Sequence, residues 1–310
     1  MRKRFGIWFL ESFLAAVLVS MVPLLPATVF AQTGYGDPAV LAKMQEINRQ
    51  LCAQGLNLAV EAIEFFTIGG ERPSARIHQQ GFRYVPNDSR GTARGTDITY
   101  LVDQSRGATA TGLRSDQTEE AIDRAMTTWG RDKSLKKVNL RKKDYAGEDP
   151  AFYAFLRRIV KNSGPLYLAD IIHTGWWPRD LFDDVWGPVG GDSILAFTVT
   201  FIFIDGSLNP TDVNGDHYLD TAFTEIYYND NFGDPSGSQP HLPWGINVDL
   251  PQGIDVETVA LHESGHALGL GHFGPPPVAA MNEVYGGKRQ TPLPIDDAGL
   301  FILWGSWPNP

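Results

Sequence analysis

The order of hydrophobic and polar positions divides the chain into a short N-terminal unit and a longer region after it. Residues 38–55 carry apolar side chains at helical spacing, and residues 57–67 alternate as a strand does. Residues 69–95 are rich in Gly, Arg, Pro and Ser, which is the composition of an exposed connection. The pattern predicts a helix-strand unit over residues 32–94, joined through a flexible linker to a domain that spans 95–310.

The longer region mixes the two periodicities. Helical spacing occurs at 116–129, in the run that follows Asp255, and from Asp296 to Trp304. Asp255 can cap the second of these helices, and Asp296 and Asp297 lie in the first turn of the third, where acidic side chains favour the helix. Strand patterns occur at 97–102, 166–172, 194–204 and 221–228. These elements predict an α+β fold in which a twisted mixed sheet lies over two helices.

The N-terminus has the order of a secretory signal peptide over residues 1–31. A basic start precedes an apolar stretch at 13–25 and a small-residue exit. We therefore expect cleavage before Gln32 and a secreted protein. The alternative is an uncleaved membrane anchor, but Glu11 and two prolines leave the apolar run short of a span. No second membrane segment is predicted, so the mature chain should not bind a membrane.

Composition narrows the class of protein. A chain of 310 residues with 43% hydrophobic content can bury a sizeable core, and a formal net charge of −10 argues against nucleic acid as a partner. Cys52 is the only cysteine, so no internal disulfide can form. Stability must come from core packing and bound metal. A lone thiol in an exported protein also favours a bacterial source.

The candidate chemistry is concentrated in residues 259–272, which read Val-Ala-Leu-His-Glu-Ser-Gly-His-Ala-Leu-Gly-Leu-Gly-His. Residues four apart on a helix lie on one face, so His262 and His266 can bind the same ion, and neutral imidazole suits zinc. Glycines at 269 and 271 allow the chain to turn and bring His272 back to the metal. The alternative is a buried helix whose histidines only satisfy local hydrogen bonds, and the fixed spacing of three histidines argues against it.

Glu263 follows the first of these histidines and is not needed as a ligand. It is therefore free to take a proton from a water that the zinc activates. Three protein ligands with an open fourth position are the arrangement of a catalytic zinc site, whereas structural sites are closed. The motif predicts one catalytic zinc, with Glu263 as general base.

The motif resembles that of the metzincin clan of zinc endopeptidases, and within it the matrixin-like bacterial members. The resemblance covers roughly residues 95–305, and Ala280-Met281-Asn282 is similar to the Met-turn, whose methionine lies beneath the zinc. It implies a zincin-like fold in which an active-site helix and a C-terminal helix flank a zinc cleft. It also implies a metalloendopeptidase that hydrolyses protein or peptide substrates. Residues 190–200 are similar to the edge strand that pairs with substrate, and 272–294 to one wall of the specificity pocket.

The chain also departs from the family pattern. Residues 194–198 contain no histidine, which puts a second, structural zinc in doubt. Glu283 stands where some metzincins have a tyrosine near the metal, and we expect only a packing role for Tyr285. The sequence around Cys52 is not that of a cysteine switch, so this residue is expected to be a small core side chain.

A second, weaker motif lies between two predicted strands. Asp212, Asn214, Asp216 and Asp220 place oxygen side chains at alternate positions, as calcium loops do. The match is incomplete because the glycine and the final acidic ligand are not where such a loop has them. Calcium binding and an ordinary solvated connection therefore both remain open.

Three functional alternatives follow from the sequence. The main one is a secreted zinc endopeptidase, with residues 32–94 as a pro-region removed at the Arg-rich connection. The second is a non-catalytic, calcium-dependent binding protein, which the presence of Glu263 argues against. The third uses the same zinc chemistry on a non-peptide amide.

Overall fold

The computed structural model describes residues 35–70, 74–92, 95–145, 147, 150–159 and 168–309. The predicted signal peptide and two arginines of the predicted linker, Arg72 and Arg94, lie outside these ranges. Within them, no helix combines the length and the apolar character that crossing a membrane requires.

Helices and strands both occur throughout the described residues. The helices are α1 (Pro38–Ala53), α2 (Ser115–Gly130), α3 (Ala151–Leu156), α4 (Arg179–Trp186), α5 (Gly190–Ser193), α6 (Val256–Ala267) and α7 (Pro294–Trp304). The strands are β1 (Leu58–Thr67), β2 (Ala75–Arg76), β3 (Phe82–Arg83), β4 (Asp97–Val102), β5 (Asn139–Lys142), β6 (Ile171–Trp177), β7 (Ile194–Phe203), β8 (Leu219–Asn229), β9 (Trp244–Gly245) and β10 (Ile254–Asp255).

One mixed sheet organises the molecule. Its strand order is β2-β1-β7-β8-β6-β4-β5, and β3 pairs with β8 beside this path. The pairs β4–β5, β4–β6 and β6–β8 are parallel, whereas β7 runs antiparallel to both β8 and β1. The predicted α+β class with a twisted mixed sheet is confirmed.

Both faces of the sheet are covered. One face packs on α2 and α6 in a core that contains Trp129, whose indole N–H donates to Leu261 O at 2.8 Å and joins the two helices. The other face packs on α1, α3 and α4. The sequence predicted helices on one face only, because the helical pattern of α1 was assigned to a separate unit.

The predicted edge strand is not at the edge in this structure. β1 pairs with β7 from Leu58↔Phe203 to Thr67↔Ile194, and β2 pairs with the outer side of β1. All ten residues of β1 are buried. The prediction was wrong because the partner of β7 lies about 130 residues earlier in the chain, and periodicity contains no information on pairing at that distance.

The predicted linker is not uniformly exposed. The guanidinium of Arg83 is buried and forms an ion pair with Asp216 at 2.6 Å, and the hydroxyl of Tyr84 donates to Asp170 O at 2.7 Å. A composition rich in Gly and Arg predicted exposure, but these partners lie far away in sequence. The N-terminal unit therefore packs closely on the rest of the molecule.

Candidate metal centre

The helix α6 begins with a side-chain cap and is buried along its whole length. Asp255 accepts the backbone N–H of Thr258 at 2.9 Å, as the sequence predicted for this helix start. One turn separates His262 from His266, so both imidazoles point to the same side of the helix. The helix thus supplies two ligands from a rigid, fully packed element.

The chain turns immediately after α6. Gly269 has a φ of 93°, a backbone conformation that residues other than glycine rarely adopt. The turn places Leu270 O 2.8 Å from Nδ1 of His266 and returns His272 to the other two imidazoles. Gly271 does not have a positive φ, so the left-handed conformation of this turn is at Gly269.

The three imidazoles converge on one point. Their Nε2 atoms are 3.0 Å apart for His262 and His266, 3.1 Å for His266 and His272, and 3.3 Å for His262 and His272. In the described part of the chain, this is the one group of three or more potential ligand side chains whose ligand atoms all lie within 4.8 Å. Ligands about 2.0–2.1 Å from a tetrahedral zinc have nearly this separation.

The other ring nitrogens fix the tautomers. Nδ1 of His262 is 2.8 Å from Ala280 O, Nδ1 of His266 is 2.8 Å from Leu270 O, and Nδ1 of His272 is 3.4 Å from Ser74 Oγ. Because a carbonyl oxygen only accepts, the first two Nδ1 atoms must donate. Their Nε2 lone pairs then face each other, which is unfavourable without a cation between them.

Electrostatics keeps the imidazoles neutral. Burial lowers the pKa of all three, well below the usual value for His262 and to about 3 for His272, and the neighbouring imidazoles add to the effect at both. Neutral imidazole is the form that binds metal, and three of them suit zinc. The residues present therefore fit a zinc ion, and the predicted zinc ligands come together.

Glu263 lies beside the triad and is fully buried. Its Oε2 accepts the hydroxyl of Thr198 at 2.5 Å, whereas Oε1 has no hydrogen-bond partner among the described residues. Burial raises the pKa of this carboxyl well above its usual value. Oε1 is thus a buried carboxylate oxygen without a hydrogen-bond donor, on the residue that follows the first ligand.

Met281 lies directly beneath α6. A Cβ atom built at Gly265 would be 2.3 Å from its sulfur, so the helix and the methionine are in contact at the turn between the two helical ligands. Asp296, which is buried on α7, accepts the N–H groups of Ala280 at 2.8 Å and of Met281 at 3.1 Å. Ala280 O in turn accepts from Nδ1 of His262, so hydrogen bonds through Ala280 connect the terminal helix to a zinc ligand.

The tentative calcium residues have protein partners. Asp216 accepts from Arg83, and Asp220 accepts from Arg90 at 2.8 Å. Asp212 accepts the N–H groups of Asp216 and His217, each at 3.0 Å, and the amide of Asn214 donates to Asp216 at 2.7 Å. The carboxylate oxygens accept from internal donors, whereas Oδ1 of Asn214 is buried and has no hydrogen-bond partner among the described residues. Calcium binding is not shown.

Three residues at the site were missed from the sequence. Thr198 orients Glu263, and the ring of Phe66 stacks on His262 with centroids 3.7 Å apart. Glu64 is opposite Thr198 across the β1–β7 pair. The only available signal was the presence of acidic residues within the apolar strand pattern at 57–67.

Comparison with known proteins agrees with this geometry. Residues 208–301 match the model of the matrixin family of peptidases. The centre is a matrixin zinc site. The matched segment contains the three zinc ligands of this matrixin centre, Glu263 and Met281.

Similar proteins come from a plant, Arabidopsis thaliana. The chain is 30% identical to Metalloendoproteinase 2-MMP over 144 residues, and this alignment covers 42% of this chain and 38% of that protein. It is 42% identical to Metalloendoproteinase 5-MMP over 57 residues, and this alignment covers 18% of this chain and 16% of that protein. The chain thus spans less than two fifths of the length of these curated relatives. A bacterial source, which the lone cysteine suggested, is not supported.

Proposed function

We propose that this chain is a secreted zinc endopeptidase that hydrolyses peptide bonds in protein substrates, with Glu263 as general base. The observation that carries the proposal is the buried, unpartnered Oε1 of Glu263 beside three converging imidazole nitrogens. A structural zinc site would not need a carboxylate with a free oxygen at this position.

In this proposal the side chains of the site have separate roles in metal binding and proton transfer. His262, His266 and His272 would hold the zinc, which when bound polarises the scissile carbonyl and acidifies water. Glu263 accepts a proton through Oε1 from the attacking water and passes it to the leaving amine. Thr198 donates to Oε2 and so keeps Oε1 directed at the reactants. The raised pKa of Glu263 suits a group that must both gain and lose a proton.

Hydrogen bonds within the segment after the third ligand support a role in substrate specificity for residues 272–294. Phe273 N donates to Met281 O at 2.9 Å, and the amide of Asn282 donates to Phe273 O at 2.7 Å, so this loop is fixed to the Met-turn. A fixed loop beside the ligands can form a pocket wall. In the same proposal, residues 1–31 are a signal peptide and residues 32–94 a pro-region.

The test replaces Glu263 and one ligand separately. Glu263→Ala should keep close to one zinc per chain and lose about 10²- to 10⁴-fold in the rate of peptide cleavage. His266→Ala should lose both zinc and activity. Metal analysis and cleavage of a peptide library, with the pro-region removed, give the two readouts.

Three outcomes would contradict the proposal. A zinc-loaded wild type that cleaves no peptide but hydrolyses small amides would favour the non-peptide alternative, and one that hydrolyses neither would favour the binding-protein alternative. Equal cleavage by wild type and Glu263→Ala would remove the role of this carboxylate.

A further inference from the structure

A cluster of basic side chains lies on the segment that joins α2 to the last strand of the sheet. Residues 131–143, here called the basic segment, contain seven basic residues and one acidic residue, in a chain whose formal net charge is −10. The segment consists of a turn after α2, with a short 3-10 helix at Lys133–Leu135, and of the strand β5. Its charge is therefore opposite in sign to that of the whole chain.

Buried side chains fix the backbone of the basic segment. Leu135 and Val138 are buried in the core on which α2 and α6 pack. The carboxylate of Asp132 accepts the N–H of Ser134 at 2.6 Å, and the N–H of Val138 donates to Leu135 O at 2.9 Å. Because the backbone is fixed, a ligand would not have to order a loop when it binds to the cations.

The first cations of the basic segment lack the acidic partners that exposed arginines have elsewhere in the described residues. Arg49 pairs with Glu46 and Arg114 pairs with Asp116, for example. Four exposed cations form neither an ion pair nor a side-chain hydrogen bond with any described residue, and these are Arg131, Lys133, Lys136 and Lys137. Four positive charges within seven residues are thus available to an anionic ligand.

Protection of the sheet edge does not account for these four cations. β5 ends the strand path, and lysines on an edge strand commonly prevent pairing with another chain. The cations on β5 itself, however, have acidic partners, since Arg141 is 3.4 Å from Asp97 and Lys142 is 2.6 Å from Asp123. The unpaired cations all precede the strand. Edge protection therefore explains the charges on β5 and not those before it.

The other side chains of the basic segment indicate which anion it suits. A membrane surface would also require exposed apolar side chains that insert, and a nucleic acid would require aromatic rings that stack on bases or a helix that enters a groove. Residues 131–143 contain no aromatic residue, and Leu135 and Val138 are buried. An acidic polysaccharide requires only cations that reach its sulfate or carboxylate groups.

We propose that the basic segment is a binding surface for an acidic polysaccharide that carries sulfate or carboxylate groups. The inference does not depend on the proposed hydrolysis of peptides. Three strands separate β5 from β7, which carries Thr198 at the metal centre, so the two strands lie roughly 20 Å apart across the sheet. A polysaccharide on the basic segment would hold the chain on an anionic matrix without contact with the metal centre.

The test compares two triple variants of the chain without residues 1–31, which lose the same charge. Arg131→Gln with Lys136→Gln and Lys137→Gln removes unpaired cations, and Lys133 is retained because it acts electrostatically on Asp297. The control replaces three arginines that have acidic partners and side chains more than half exposed, by Arg49→Gln, Arg114→Gln and Arg158→Gln. At about 50 mM salt, affinity for heparin, a sulfated polysaccharide, should fall about 100-fold in the first variant and less than about threefold in the control.

Two further measurements on the same proteins identify the surface. The affinity of the wild type for heparin should fall as salt is added, and the first variant should show a smaller salt dependence. Lysine acetylation of the wild type, read by mass spectrometry, does not depend on the folding of any variant. Heparin should protect Lys136 and Lys137 and leave Lys288 reactive.

Four results would decide against the inference. Equal affinities of the two triple variants, or equal acetylation of Lys136 and Lys137 with and without heparin, would overturn the basic segment as the binding surface. A wild type that binds neither heparin nor polygalacturonate, a carboxylated polysaccharide, would overturn the ligand class. Tighter binding to a DNA duplex or to phosphatidylserine vesicles at the same concentration of negative charge would assign the surface to that partner instead.

Discussion

The sulfur of Met281 fills the space that a Cβ atom at Gly265 would need. The built Cβ is 2.3 Å from Sδ and 3.0 Å from Cε of this methionine. Glycine in a helix interior normally costs stability relative to alanine, so its presence here is explained by the contact with Met281.

Gly265→Ala should therefore lower the free energy of unfolding by about 1–3 kcal/mol, because overpacking outweighs the gain in helix propensity. It should also weaken zinc binding, since the methionine would be pushed away from the ligands. Gly271→Ala is the matched control, because nothing lies within 4 Å of its built Cβ. Urea unfolding measures both variants, and equal stability of the two would contradict the contact.

Asp296 should contribute far more to stability and zinc affinity than its neighbour Asp297. Its carboxylate accepts the N–H groups of Ala280, Met281 and Leu293, and Asp296→Asn would turn an amide donor toward them. Hydrogen bonds to charged groups contribute about 1.5–3 kcal/mol each, so we expect a loss of at least that size together with weaker zinc affinity. Asp297→Asn should have a much smaller effect, because that residue is exposed and accepts none of these three N–H groups. Zinc titration and urea unfolding of both variants provide the comparison.

The ion pair between Arg83 and Asp216 should be a main contact between the N-terminal unit and the sheet. Both side chains are almost completely buried, and removal of one partner of a buried pair costs about 3–5 kcal/mol. Arg83→Gln should lose this amount in denaturant unfolding. Arg114→Gln breaks an exposed pair with Asp116 and should leave the stability nearly unchanged. A small loss for Arg83→Gln would show that the unit is held elsewhere.

Millimolar calcium should leave the melting temperature of the zinc-saturated protein unchanged. The carboxylates of residues 212–220 already accept from arginine and backbone donors, so a calcium ion would have to displace those partners. A ligand that binds the folded state raises its stability, which makes a thermal shift a direct readout. An upward shift that Asp212→Asn abolishes would restore the calcium alternative.

Stability should fall as the pH drops below 6.5, partly because of His173. Burial lowers the pKa of this fully buried imidazole to about 3 from 6.5. Between these values the unfolded chain binds a proton that the folded chain does not, so acid favours unfolding. From pH 7.5 to 5.5 the loss should be about 1.4 kcal/mol. Over the same pH change, the free energy of unfolding of His173→Gln should fall by about 1.4 kcal/mol less than that of the wild type. An identical pH profile for both would assign the loss to other groups.

The site was largely predictable because its signal is local. The spacing of His262, His266 and His272 follows from one helix and one turn, so the zinc ligands could be inferred without any knowledge of the sheet. The apolar side of α2 and the cap at Asp255 were also predicted correctly, since periodicity and capping depend only on neighbours in the chain. The strand patterns at 194–204 and 221–228 correspond to β7 and β8.

What the sequence by itself determined is therefore the chemistry: a helix with two imidazoles, a turn that returns a third, and a carboxylate beside them. Only the tertiary structure decided what lies against that chemistry. The pairing of β1 with β7, the stacking of Phe66 on His262 and the ion pair of Arg83 join residues more than 100 positions apart. Such contacts are selected by the shape and charge of surfaces that exist only after folding, and no local pattern in the chain encodes them.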